Sequence, residues 1–434
     1  MRSRSRRWGT TLIAAPAILA LAAATACTAV DDEDDVTAGV GVTEEPCPDA
    51  VNADNGCIYL GVLSDLEGGP FAELGAQIHQ GQLAFWRSVN EEGGIAGYDV
   101  DISRYTRNTA YSVDQHATEY QDIEPHVLAL AMSLGTPQTE SVLPSMDSSN
   151  LVAVPGSWWS GLHFDEADRG LILESGYSYC TESVIGLDWF SEEYGTPETL
   201  LTVGYPGDYG SDSAVGATRW AEANDVEILA QIDTAPNAMV QNQDAAVEQI
   251  LSQQPDVVLI ATAPGEAAEI VAKAVSRGYD GRFLGSVPTW NPRLLETAAI
   301  GALTARYNHV GPWQGWDGDS AALSAIRESL DGRLPDNQGY IFGWVWSYPL
   351  KSLLEAAADD GELSRSALRA AIDGLEVDYE GALPNRTFGE PPAFDEMSAT
   401  ISVPDAEVEL GTRAIADGVT ATTEVEYDAP CVQP

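Results

Sequence analysis

From Ile58 onward, short apolar runs alternate with segments of helical period, and this alternation leaves few folds open. Residues 58–63, 98–105, 127–132 and 151–154 read as strands. Between the first two, Phe71, Leu74, Ile78, Phe85 and Val89 recur at helical spacing, with Pro70 placed to start the helix and Gly93-Gly94 to stop it. Helices are expected over 112–123 and from Thr136-Pro137. The run 127–132 is almost wholly apolar, as expected of a strand covered on both faces. A second series follows Gly176, with strands at 200–204, 226–231, 256–261 and 283–286 and helices at 211–224, 241–253 and 264–277, and Asn291-Pro292 opens one more. Strand–helix alternation implies a parallel sheet with right-handed crossovers. Two such series imply an α/β chain of two doubly wound parallel-sheet lobes.

The N-terminus speaks to compartment. Arg2, Arg4, Arg6 and Arg7 precede an apolar stretch too short for a comfortable span, and small residues lead to Cys27. Residues 1–26 are expected to be a secretory signal. Ala24-Thr25-Ala26-Cys27 resembles the bacterial lipobox, which implies lipidation of Cys27, although Ala24 stands where Leu is preferred. Residues 27–56 are acidic, contain Gly and Pro and lack apolar period, so they read as a flexible linker. Setting Cys27 aside leaves Cys47, Cys57, Cys180 and Cys431, enough for two disulfides in three possible pairings. Cys47–Cys57 would close a short local loop, leaving Cys180–Cys431. The histidines are scattered and no CxxC pair exists, so no metal site is expected. The whole sequence carries a formal charge of −46, which excludes nucleic acid as a natural partner.

The motifs of residues 58–97 resemble the opening of type I periplasmic solute-binding proteins, the Leu/Ile/Val-binding group. They read Gly61-Val62-Leu63, then Gly69-Pro70-Phe71-Ala72, then Gly75 through Gly81 to Leu83-Ala84, then Asn90-Glu91-Glu92-Gly93-Gly94-Ile95-Ala96-Gly97. Asp208-Tyr209-Gly210 before a helix and Gly278-Tyr279 before a strand match the second lobe. The resemblance implies a Venus-flytrap fold with a three-crossing hinge. Lobe one would hold residues 58–175 and 308–378, and lobe two 176–307 and 379–434, so Cys180–Cys431 would join two segments of one lobe. It further implies a monomeric, extracytoplasmic component of an ABC importer that uses no cofactor, delivers a small organic ligand to a membrane permease, and hangs from the membrane by Cys27. A sensor for a membrane receptor is the alternative. A secreted hydrolase is the rival from another class, but GxSxG, HExxH and GxxxxGK are all absent from the sequence.

Ligands of open α/β sheets sit beyond the carboxyl ends of the strands, where helix N-termini offer free N–H groups. The resemblance places Ser133, Gly135 and Thr136 in one lobe-one ligand loop and Gly156, Ser157 and Trp158 in the other, with Tyr209 on lobe two. Thr262 stands where a second lobe-two tyrosine is common. Val287-Pro288-Thr289 stand where an amine-binding acid is expected, which puts recognition of a free α-amino acid in doubt. Trp158 and Trp290 offer flat apolar faces. The expected ligand therefore has an acceptor-rich end and an apolar body. Helix capping is the competing role for Ser133 and Thr136, core or hinge packing for each tryptophan, and Asp208 reads as a local cap.

Overall fold

The computed structural model describes residues 36–392 and 396–433. The expected signal, Cys27 and the first part of the linker lie outside these residues. Lobe one is built on strand Gly56–Ser64, which pairs in parallel with Tyr98–Asn108 on one side and Ala129–Leu134 on the other; Ala153–Gly156 extends the sheet. Lobe two holds a sheet of seven strands. Its parallel part runs Tyr307–Gly311, Arg282–Gly285, Val257–Ala261, Thr199–Gly204, Glu227–Asp233, and a C-terminal hairpin, Ser398–Pro404 with Thr412–Thr420, pairs antiparallel beside Tyr307–Gly311. The central strands are buried on both faces, as their apolar composition requires. The chain passes from lobe one to lobe two near 175–178, back at Pro312-Trp313, and across again between Val377 and Ser398.

Helix Ala72–Glu91 of lobe one packs directly on Gly339–Val345, which follows the chain's return and helix Ala321–Ser329. Their backbones nearly touch: a Cβ at Gly343 would stand 1.9 Å from the Ile78 carbonyl oxygen, and one at Gly81 2.0 Å from that of Tyr340. Only glycine permits that approach.

Two expectations are corrected, and one helix is new. Residues 36–56 are not a free linker: Thr37–Ala38 pairs with Glu362–Leu363, Val42–Thr43 pairs with Cys57 and Ile58, and Cys47 is bonded to Cys57. The buried Asp99 carboxylate gathers the N–H groups of Val51 and Asn52 and the amides of Asn52 and Asn55. Polar bonds and a disulfide hold this segment, so it shows no apolar period. Strand Tyr307–Gly311 belongs to the lobe-two sheet, which moves the second crossing from 308 to about 312. Helix Tyr179–Tyr194 was not anticipated, because it is buried around most of its circumference and carries no single apolar stripe. Its start is fixed by reciprocal capping between Ser178 and Thr181.

Cys180 is bonded to Cys431. The tail so held also touches lobe one, since Trp159 donates its indole N–H to the Val432 carbonyl (3.0 Å) and Tyr427 meets His163 Nδ1 (2.8 Å). Beneath it, Glu174 lies between His163 (2.7 Å) and Arg386 (2.6 Å), all three side chains largely withdrawn from solvent. This buried charge cluster joins the first and third crossings.

Candidate functional site

The loops after the strands converge between the lobes. In lobe one, the buried Asp65 accepts the N–H groups of Gly69 (3.1 Å) and Phe71 (2.8 Å), which folds the loop back and presents Pro70 and Phe71. Strand Ala129–Leu134 ends at Gly135, whose φ of 99° turns the chain into helix Thr136–Ser149. The next strand delivers Ser157 and Trp158. The Thr136 and Ser157 hydroxyls bond at 2.6 Å, and Ser157 Oγ also accepts the Trp159 N–H (3.1 Å). In lobe two, the loop after Thr199–Gly204 delivers Tyr205, Asp208 and Tyr209, and the loop after Val257–Ala261 delivers Ala263 and Glu266.

These loops enclose a cavity of about 400 Å³. Gly135, Thr136, Ser157, Trp158 and Tyr209 line it. Trp290 lines an adjoining cavity of about 390 Å³ that shares Phe71, Leu74, Ala263 and Pro288 with the first; its indole N–H is held by the Leu410 carbonyl (3.2 Å). Two candidates lie behind the wall. Ser133 is fully buried, its hydroxyl between His116 Nε2 (3.2 Å) and Thr139 Oγ1 (2.7 Å). Thr262 is also buried and donates to the Ala263 carbonyl, so its neighbour Ala263 reaches the cavity instead. Ser133 is one position before the end of its strand and Thr262 one position after the end of its own, and each side chain is buried behind the wall.

Trp158 is both wall and hinge packing. Its ring meets Trp346 (4.8 Å), Phe342 (5.4 Å), Trp313 (6.0 Å) and Tyr179 (6.1 Å), and its indole N–H donates to the Ser175 carbonyl (3.2 Å). Tyr209 is held from behind, its hydroxyl 2.5 Å from Ser286 Oγ and 3.2 Å from the Thr262 carbonyl. Burial pushes its phenol far above the ordinary range.

Sequence reasoning missed Tyr111, Tyr179, Trp346, Asp208 and Glu266 as cavity residues. Tyr179 reaches the cleft from the start of helix Tyr179–Tyr194 and Trp346 from the end of helix Gly339–Val345, which strand-end logic does not address. Asp208 stood in a quoted motif but was read as a cap. It instead lines the cavity with Thr136, and burial raises its pKa, opposed by the Thr136 hydroxyl. Glu266, mostly buried, accepts the Asn237 N–H (2.7 Å). Thus the loop 287–289 holds no acid, but two carboxylates reach the cavity from other loops, and an ammonium would not lack a partner. Arginine and lysine are absent from the described lining of the inner cavity. In the outer one, Arg293 of lobe two pairs with Glu73 of lobe one across the cleft. Among the described residues, no group of three or more His, Cys, Asp or Glu is placed to hold a metal ion.

A family model described as periplasmic binding protein matches residues 58–396. The chain belongs to the periplasmic binding protein family. Solved relatives share the fold of this binding protein at low identity. A fatty acid ABC transporter substrate-binding protein from Thermomonospora curvata superposes with a TM-score of 0.76 at 24% identity, covering 89% of this chain and 95% of its own. A branched chain amino acid ABC transporter protein from Thermus thermophilus with bound valine gives 0.73 at 15%, covering 85% and 98%. A solute binding protein of an ABC transporter from Rhodopseudomonas palustris HaA2 in complex with p-hydroxybenzoic acid gives 0.68 at 15%, covering 84% and 97%. No curated protein matches the binding protein's sequence.

Proposed function

We propose that this chain is the ligand-capturing component of an ABC importer, exported and held at the outer face of the membrane by a lipid on Cys27. The observation that carries this reading is the cavity of about 400 Å³ walled by loops of both lobes. Its size suits a small organic molecule. A ligand that engages both walls favours the closed arrangement over the open one, and a closed binding protein is what a permease can recognise. The solved relatives include a fatty acid ABC transporter substrate-binding protein, one with bound valine and one in complex with p-hydroxybenzoic acid, so the fold accommodates varied small ligands. Gly135, Thr136, Ser157, Trp158 and Tyr209 would contact the ligand in the inner cavity and Trp290 in the outer. Ser133 and Thr262 would support the loops without touching it. The ligand's body would be apolar or aromatic, resting on Phe71, Trp158 and Tyr209.

Mass spectrometry of small molecules released on denaturing the purified protein, followed by calorimetry with the identified compound, tests the reading. A stoichiometric compound rebinding one to one is expected. Absence of any stoichiometric ligand across a broad metabolite panel would overturn it.

A further inference from the structure

We infer that the ligand of the inner cavity is an organic cation, an ammonium on an apolar or aromatic body, with its charge against Asp208 and Glu266. This rests on the solute-binding reading above and deepens it. The first support is the hydroxyl pair on lobe one. The Thr136 and Ser157 hydroxyls share one hydrogen bond (2.6 Å), and Ser157 Oγ also accepts the Trp159 N–H (3.1 Å). The pair spends one hydroxyl hydrogen between its members and keeps oxygen lone pairs that a cation can meet. An ammonium would meet partners.

The second support is the lining itself. Asp208 and Glu266 face a cavity whose described lining contains no lysine or arginine to neutralise them. Glu266 keeps one backbone partner, the Asn237 N–H, and lies beside the Tyr205 phenol. Carboxylates turned toward an enclosed space without a countercharge favour a cation arriving there. The third support is aromatic. Phe71, Tyr111, Trp158, Tyr179, Tyr205 and Tyr209 put ring surfaces around the same space. Ring faces attract cations as well as apolar groups, and desolvation strengthens the attraction. The whole-chain charge of −46 acts in the same direction, drawing cations toward the protein.

Calorimetry with matched probes tests the assignment: 2-phenylethylammonium, the neutral 2-phenylethanol, the anions 3-phenylpropionate and octanoate, and zwitterionic leucine. The cation should bind about tenfold or more tightly than the alcohol and more tightly still than either anion, with leucine weak. Asp208→Asn should cost the cation about tenfold and leave the alcohol unchanged, and Glu266→Gln should act in the same sense if Asp208→Asn disturbs its loop. Equal or tighter binding of an anion or of leucine overturns the cation assignment and leaves solute capture standing. Silence from all five probes also overturns it, while solute capture is then decided by the released-ligand experiment.

Discussion

At the residue scale, Trp158 illustrates why an aromatic at a strand end has two jobs. It lines the cavity, yet it is 3% exposed and wedged among Trp313, Phe342 and Trp346. Trp158→Ala should therefore destabilise the protein by about 3–5 kcal/mol in denaturant unfolding, whatever it does to ligand affinity. A loss under about 1 kcal/mol would show that the ring is not part of the hinge core. Glu182 makes a different prediction. Burial pushes its carboxyl up to about 8, although Tyr177 OH (2.8 Å) and the Val287 N–H (2.7 Å) donate to it. Asp212 is pushed up to about 7 by burial against bonds from Ser160 and Cys180. The native state keeps these protons after the unfolded chain sheds them, so their stabilisation is complete at low pH and is lost as pH rises to 7 and 8. Buried His79, His116 and His309, lowered to about 4 from 6.5, act oppositely, but only below about pH 6.5. Between pH 6.5 and 8 the acids should dominate this set, and stability should fall by about 1–2 kcal/mol. Glu182→Gln should flatten that slope in urea titrations across the range. An unchanged slope would mean that Glu182 is ionised throughout. Neither role was readable beforehand. Burial of Glu182 follows from the packing of helix Tyr179–Tyr194, and Asp208's contact with Thr136 needs both lobes in place.

At the element scale, the segments that sequence revealed are those whose apolar side chains repeat. Residues 127–132 and 256–261 announce buried strands, and the Pro70-to-Gly93 helix announces its own ends. The segments that stayed hidden are held by other forces. Val42–Thr43 and the turns around Asp99 depend on polar bonds, and Tyr307–Gly311 is a short strand that carries Asn308 and His309 in a fully buried setting. The resemblance placed six residues that line the inner cavity, Gly135, Thr136, Gly156, Ser157, Trp158 and Tyr209, and missed by one or two positions at Ser133 and Thr262, whose side chains face away from it. The cysteines bind elements that periodicity cannot connect. Cys180 lies in the first turn of a lobe-two helix and Cys431 in the tail that also touches lobe one. Non-reducing peptide mapping of the exported protein should find Cys47–Cys57 and Cys180–Cys431, and replacing Cys180 and Cys431 together by Ala should cost about 2–4 kcal/mol. Recovery of free thiols at these positions would sink the pairing.

At the scale of the whole molecule, membrane attachment and lobe closure are separate questions. Among the described residues no helix is long and apolar enough to cross a membrane, and the proposed lipid on Cys27 has a direct test. Cys27→Ser should move the protein from the membrane fraction to the soluble fraction of exported material without lowering its melting temperature. Continued membrane retention would count against lipidation.

Closure has a visible contact to test. Arg293 and Glu73 pair across the cleft, but their side chains remain 65% and 59% exposed. An ion pair this wet contributes about 0.2–1 kcal/mol and weakens with salt. It can bias the lobes toward contact but cannot hold them shut against an unfavourable cavity, so most of the closing energy must come from the ligand itself. Arg293→Gln should accordingly reduce ligand affinity by less than about fivefold at physiological salt, and the difference should vanish at high salt. Small-angle scattering of the ligand-free variant should show a shift toward more open molecules. Ligand-saturated wild type and variant should scatter alike. A hundredfold loss of affinity in Arg293→Gln would mean that this pair, and not the buried cavity, carries closure.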